Sequence, residues 1–206
     1  MIAAALAAAS SLVTGTTVVW HCDPYSGAQR IYFGNHSSHL DFIVIWSALP
    51  DGARRLVRPV AGADYWERGP VRRHLSRRVF RAVLIRRAPG GSGGCGAARA
   101  SVERMAAALG DTHSLIVFPE GTRSVDGELG AFRSGLFHLS RLRPDVELIP
   151  ACLETLNRIL PKGEVLPVPM LTRVVFGPPL ARIADEGKHE FLARAREALI
   201  HLQVTS

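Results

Sequence analysis

Short β-branched or apolar runs, separated by stretches with helical spacing, constrain the fold of this chain more than any other feature. The runs fall at 16–20, 31–33, 56–60, 83–85, 115–118, 148–152 and 174–176. Segments this short and this apolar suit strands that are buried on both faces. Helical patterns at 40–49, 71–80, 97–109, 135–142 and 190–202 lie between them. Such alternation predicts an α/β sandwich. With 206 residues, 47% of them hydrophobic, the chain can build one well-packed core, so residues 1–206 are expected to form a single domain.

The first twenty residues carry no charged side chain, but twelve of them are Ala, Ser, Thr or Gly, and the stretch lacks a basic start. That is too dilute for a membrane span or a signal peptide. A short helix over 1–13 that lies on or near a membrane is the expectation, with an ordinary packed helix as the alternative.

The formal charge of +7 favours a partner with a negative surface: nucleic acid, anionic lipid or a phosphorylated metabolite. Lys162 and Lys188 are the only lysines, so the positive charge is almost entirely arginine, the better fork for phosphate. Eleven arginines fall between Arg54 and Arg87. Val71, Leu75 and Val79 recur every fourth residue, with Arg73, Arg77 and Arg81 beside them at the same spacing. This is a basic amphipathic helix, suited to anionic head groups or to a solvated face. Aromatic residues do not interleave with the arginines and no nucleic-acid-binding motif is present, so nucleic acid is not expected as a partner.

Cys22, Cys95 and Cys152 have no paired spacing, which argues against a disulfide framework or a zinc ribbon and for a reducing compartment. The glycine-rich stretch at 90–96 is followed by Ala97 and Ala98 instead of the Lys and Ser or Thr of a Walker loop. It reads as a connection into the next helix.

Two clusters carry chemistry, each placed where an apolar strand ends. The first is Asn35-His36-Ser37-Ser38-His39-Leu40-Asp41. His36 and Asp41 are five apart and do not align on a straight helix, so His36 stands before the helix and Asp41 in its first turn. The imidazole can then fold back onto the carboxylate, which fixes the tautomer and leaves the other ring nitrogen to take a proton from an alcohol. Ser38-x-x-Asp41 also resembles a capping box that would start the helix without any chemistry, and both readings can hold together. His36 and His39 without a further ligand make a weak metal site, and none is expected. Ser37 and Ser38 lie outside any nucleophile-elbow sequence.

The second cluster is Phe118-Pro119-Glu120-Gly121-Thr122-Arg123-Ser124, continued by Phe132-Arg133-Ser134-Gly135. Gly121 permits close backbone approach, and Arg123 and Arg133 can hold a phosphate. Glu120 would repel a phosphate, so its expected role is to fix an arginine or to accept a hydrogen bond from a glycerol hydroxyl.

Together these motifs resemble the glycerolipid acyltransferase superfamily, typified by lysophosphatidic acid acyltransferases. His36 and Asp41 fit its His-x4-Asp block, and Phe118 to Ser124 its Phe-Pro-Glu-Gly-Thr-Arg-Ser block. Val83-Leu84-Ile85-Arg86-Arg87 fits a strand ending in a phosphate-binding Arg, with Arg87 in that position, and Leu148-Ile149-Pro150 fits a strand ending at Pro. Arg81 stands where the second motif usually begins with Gly, and Arg133 replaces a common Lys. The resemblance spans roughly residues 14–177.

It implies a single-domain mixed β-sheet of about six to seven strands flanked by helices. It also implies transfer of an acyl group from acyl-CoA or acyl carrier protein to a lysophospholipid, most simply 1-acyl-glycerol-3-phosphate. His36 would be the general base, Asp41 its partner, and Arg87, Glu120, Gly121, Thr122, Arg123 and Arg133 the acceptor site. No cofactor beyond the acyl co-substrate is implied, and the expected place is the cytoplasmic face of the cell membrane, peripheral or monotopic. Another lysophospholipid, glycerol 3-phosphate, an aminolipid acceptor, or a catalytically silent membrane-binding module are the alternatives.

Overall fold

The strand Arg30–Gly34 (β2) is buried at every position because it has a strand on each side and an apolar layer on each face. The chain is seen in a computed structural model, which describes residues 15–38, 41–86, 95–124, 128–154 and 172–204. Around β2, the strands Thr17–Trp20 (β1), Val57–Gly62 (β3), Val83–Ile85 (β4), Ser114–Val117 (β5), Glu147–Glu154 (β6) and Arg173–Phe176 (β7) complete a seven-stranded sheet. Its order is β1-β7-β6-β2-β5-β3-β4. Only the β6–β7 pair is antiparallel, so the sheet is mixed.

The described helices are Asp41–Ala48 (α1), Asp51–Leu56 (α2), Ala63–Trp66 (α3), Pro70–His74 (α4), Cys95–Leu109 (α5), Gly135–Leu142 (α6) and Lys188–Val204 (α7). Side chains alternate across a strand, and both sets here are apolar. Ile31, Phe33, Leu115 and Val117 meet Met105 and Leu109 of α5, Leu136 and Leu139 of α6, and Phe191, Ala195 and Leu199 of α7. Tyr32, Ile116, Ile149 and Phe176 point the other way, into Phe42, Val44, Ile45 and Trp46 of α1. Each fully buried side chain of this size contributes about 1.5–3 kcal/mol, which is why helices cover both faces.

All of the expected strands are present to within one or two residues. The basic helix is present too, but it does not stay regular. After α4 it widens into a π-helical turn over Leu75–Val79, where the Phe80 N–H donates to the Leu75 carbonyl at 2.9 Å. Leu75 and Val79 pack against the core, whereas Val71 is 69% exposed. The turn closes through Arg81, whose φ of 47° lies in the left-handed region. That conformation gives the position its physical preference for glycine. Among the described residues no helix is long and apolar enough to cross a membrane. The expected N-terminal helix over 1–13, the glycine-rich stretch at 90–94 and Arg87 lie outside the described residues.

Candidate active site

β2 and β5 are parallel neighbours in register, Phe33 beside Val117, so the residues that follow each strand emerge together at the carboxyl edge of the sheet. Strand ends of this kind are where α/β folds place their chemistry. The chain leaving β2 carries Asn35 and His36, and the chain leaving β5 carries Phe118, Pro119 and Glu120.

His36 Nδ1 lies 2.7 Å from Asp41 Oδ2. The same oxygen accepts the backbone N–H of Ser37 at 2.7 Å and of Ser38 at 2.9 Å. Asp41 therefore fills both roles: it ties back to the residues before α1, as a capping residue does, and it holds the imidazole. Its Oδ1 is buried and has no hydrogen-bond partner among the described residues. A carboxylate acceptor at Nδ1 requires the N–H there and leaves the lone pair on Nε2. The Asp41 side chain is fully buried, while 17% of the His36 side chain remains exposed, so solvent or substrate reaches the ring and not its partner.

The rest of the imidazole is also constrained. Phe118 stacks on it with centroids 4.3 Å apart and planes 16° from parallel. The buried Glu120 carboxylate accepts the His36 backbone N–H at 2.8 Å on one oxygen and the Gly130 N–H at 3.0 Å on the other. Ser124 N–H donates to the His36 carbonyl at 2.7 Å. One residue earlier, the Asn35 amide bridges to β6, with Nδ2 donating to the Leu153 carbonyl and Oδ1 accepting the Leu153 N–H, both at 2.8 Å. Gly34 lets these strands close, since a Cβ there would stand 2.8 Å from the Ala151 carbonyl oxygen.

Glu120 does fix an arginine, but through its backbone. Arg133 Nε donates to the Glu120 carbonyl at 3.1 Å, and the Arg133 N–H donates to the Pro119 carbonyl at 2.9 Å. Arg133 lies across Gly121, which has φ +71° and whose missing Cβ would fall 2.7 Å from Nε. His36, Asp41, Glu120, Gly121 and Arg133 are thus brought together. Thr122 is exposed and Arg123 half-buried on the connecting loop, and neither hydrogen-bonds to the His36–Asp41 pair. Arg123 and Arg133 have no ion-pair partner among the described residues. Phe118 and Asn35 lie inside the two clusters, and the structure adds their roles, a ring stacked on His36 and an amide clamp to β6. The sequence signal was present: an aromatic residue and an amide, each directly after a strand.

Among the described residues no group of three or more His, Cys, Asp or Glu side chains converges on a metal position.

A histidine–carboxylate pair at the strand ends of a mixed α/β sheet defines the class of site. Residues 17–154 match the family model described as Acyltransferase. A 1-acyl-sn-glycerol-3-phosphate acyltransferase from Limnanthes alba is 31% identical over 161 residues, covering 74% of this chain and 50% of that protein. Another, from Cocos nucifera, is 27% identical over 156 residues, covering 68% and 45%. The chain spans about half the length of the curated relatives it matches. The crystal structure of the 1-acyl-sn-glycerophosphate (LPA) acyltransferase PlsC from Thermotoga maritima aligns with a TM-score of 0.73 at 18% identity. It covers 100% of this chain and 79% of that one, and shares its fold. This chain belongs to the glycerolipid acyltransferase family.

Proposed function

We propose that the protein transfers an acyl group from the thioester of acyl-CoA or acyl carrier protein to the free hydroxyl of 1-acyl-glycerol-3-phosphate, giving phosphatidic acid. The reading rests on one observation above the others: His36 Nδ1 sits 2.7 Å from the fully buried Asp41 carboxylate, while part of the imidazole side chain stays exposed. In this reaction Nε2 takes the hydroxyl proton as the alcohol oxygen attacks the thioester carbonyl. The tetrahedral intermediate collapses, the C–S bond breaks, and the imidazolium returns the proton to the leaving thiolate. No acyl-enzyme forms. Asp41 holds the tautomer and stabilises the imidazolium.

Arg123 and Arg133, free of acidic partners among the described residues, are suited to the acceptor phosphate, with Arg87 assigned to it by motif alone. Gly121 and Thr122 are assigned to the acceptor site by motif, and Glu120 holds the His36 backbone. Holding both substrates in register adds to the general-base contribution of about 10²- to 10⁴-fold. Membrane lipid is the source of the acceptor, and a peripheral position on the cytoplasmic face is the proposed location.

The test is a product analysis. Purified protein is given mixed acyl-CoA and acyl carrier protein donors with 1-acyl-glycerol-3-phosphate, glycerol 3-phosphate, a larger lysophospholipid or an aminolipid. Phosphatidic acid as the dominant product supports the reading. A different acylated lipid moves the acceptor, and free fatty acid released without acceptor replaces the transferase with a hydrolase.

A further inference from the structure

The segment that follows β3 is not used by the chemistry above. It begins at Gly62, paired with Ile85 of β4, at the carboxyl edge of the sheet that also carries His36. From there the chain runs through α3 and α4, and the exposed residues of α4 and its flanks are strongly basic. Between Arg68 and Arg78 it carries five arginines and no acidic residue, and all five are exposed. Arg77 pairs with Glu67 at 3.0 Å. Arg68, Arg73 and Arg78 have no ion-pair partner among the described residues. In the middle of this charge Val71 stands 69% exposed.

We infer that the exposed surface of this segment, Arg68 to Arg78, is a docking surface for an anionic lipid bilayer, with Val71 entering the interface and the arginines meeting head-group phosphates. Five like charges in eleven residues, only Arg77 of them ion-paired among the described residues, favour an anionic partner over a merely solvated face. The exposed valine selects among anionic partners, because an aliphatic side chain gains free energy in the acyl boundary and none against a nucleic-acid backbone.

Ring contacts run from this surface to the site. Arg72 lies over the Tyr65 ring at 4.3 Å, Tyr65 contacts Trp66 at 5.4 Å, and Trp66 packs edge-on against Phe42 at 5.3 Å. Phe42 directly follows Asp41 in α1. A bilayer bound by this segment would lie at the carboxyl edge of the sheet that carries His36. The value of that placement rests on the proposed reaction, whereas the binding itself does not.

Sedimentation of the full chain with vesicles of phosphatidylcholine, alone or mixed with phosphatidylglycerol and with no acyl donor present, separates the two. The wild-type protein should bind the anionic vesicles and be released by salt. Arg72→Glu with Arg73→Glu should weaken that binding by about tenfold or more. Arg72→Gln with Arg73→Gln should weaken it less, and Val71→Asp should weaken it even at low salt. Arg99→Glu, on α5 over the opposite face of the sheet, should leave it unchanged. The inference is overturned by wild-type binding no stronger to anionic than to neutral vesicles, by equal losses in the Arg99 and Arg72/Arg73 variants, or by tighter binding to duplex DNA than to the anionic vesicles. Acyl transfer to detergent-dispersed acceptor should persist in every variant, so failure of the reaction and failure of the surface remain distinct.

Discussion

His36 is restrained on its ring nitrogen by Asp41, on its ring face by Phe118 and at its backbone by Glu120, and each restraint can be removed by itself. Asp41→Asn keeps the shape of the side chain and an oxygen for the Ser37 and Ser38 N–H groups, but offers no anion to the imidazolium. The variant should fold with a melting temperature near that of the wild type and lose about 10²- to 10⁴-fold in kcat, measured at saturating acceptor. Gly121 is constrained differently. With φ at +71°, alanine there should cost about 1–2 kcal/mol, and its Cβ must displace the Arg133 guanidinium. A lower melting temperature together with a raised KM for the acceptor is the expected pattern, whereas an unchanged KM would separate Arg133 from acceptor binding.

At the scale of elements, the Asn35 amide locks the end of β2 to β6 by a matched pair of buried hydrogen bonds. Asn35→Ala leaves a buried N–H and a carbonyl of Leu153 without these partners, which should lower stability by about 1–3 kcal/mol in urea unfolding and reduce activity through the misplaced His36. Strands and long helices were legible in the sequence because apolar runs and fourfold spacing mark them. Both α2 and α3 were not, since six and four residues are too few to establish a period. The widening at Leu75–Val79 was equally hidden. It accompanies the packing of Phe80 against Phe42 and Trp46, which has no local pattern, and the left-handed backbone at Arg81, whose one sequence signal is the glycine usual at that position.

For the whole molecule, the site depends on strand order. His36 and Asp41 are neighbours in sequence, so their pairing could be read from spacing. The contact between His36 and Glu120 joins residues 84 apart, and it exists only because β5 lies beside β2. Motif resemblance gave the two clusters a common purpose, but only the sheet gives Glu120 a backbone to hold. The same core encloses Cys152 in β6, where burial pushes the thiol up to about 12. Its thiolate is thus suppressed at neutral pH. Peptide mapping after alkylation should find Cys152 unmodified in the native protein and labelled only at the rate of global unfolding.

The central claim is that His36 is the base for acyl transfer to a lipid hydroxyl. It is tested most directly by the rate of phosphatidic acid formation from acyl-CoA and 1-acyl-glycerol-3-phosphate, compared between the wild-type protein and a folded His36→Ala variant. The account predicts loss of at least about 10²-fold with an unchanged circular dichroism spectrum. Transfer at the wild-type rate by that variant would contradict it.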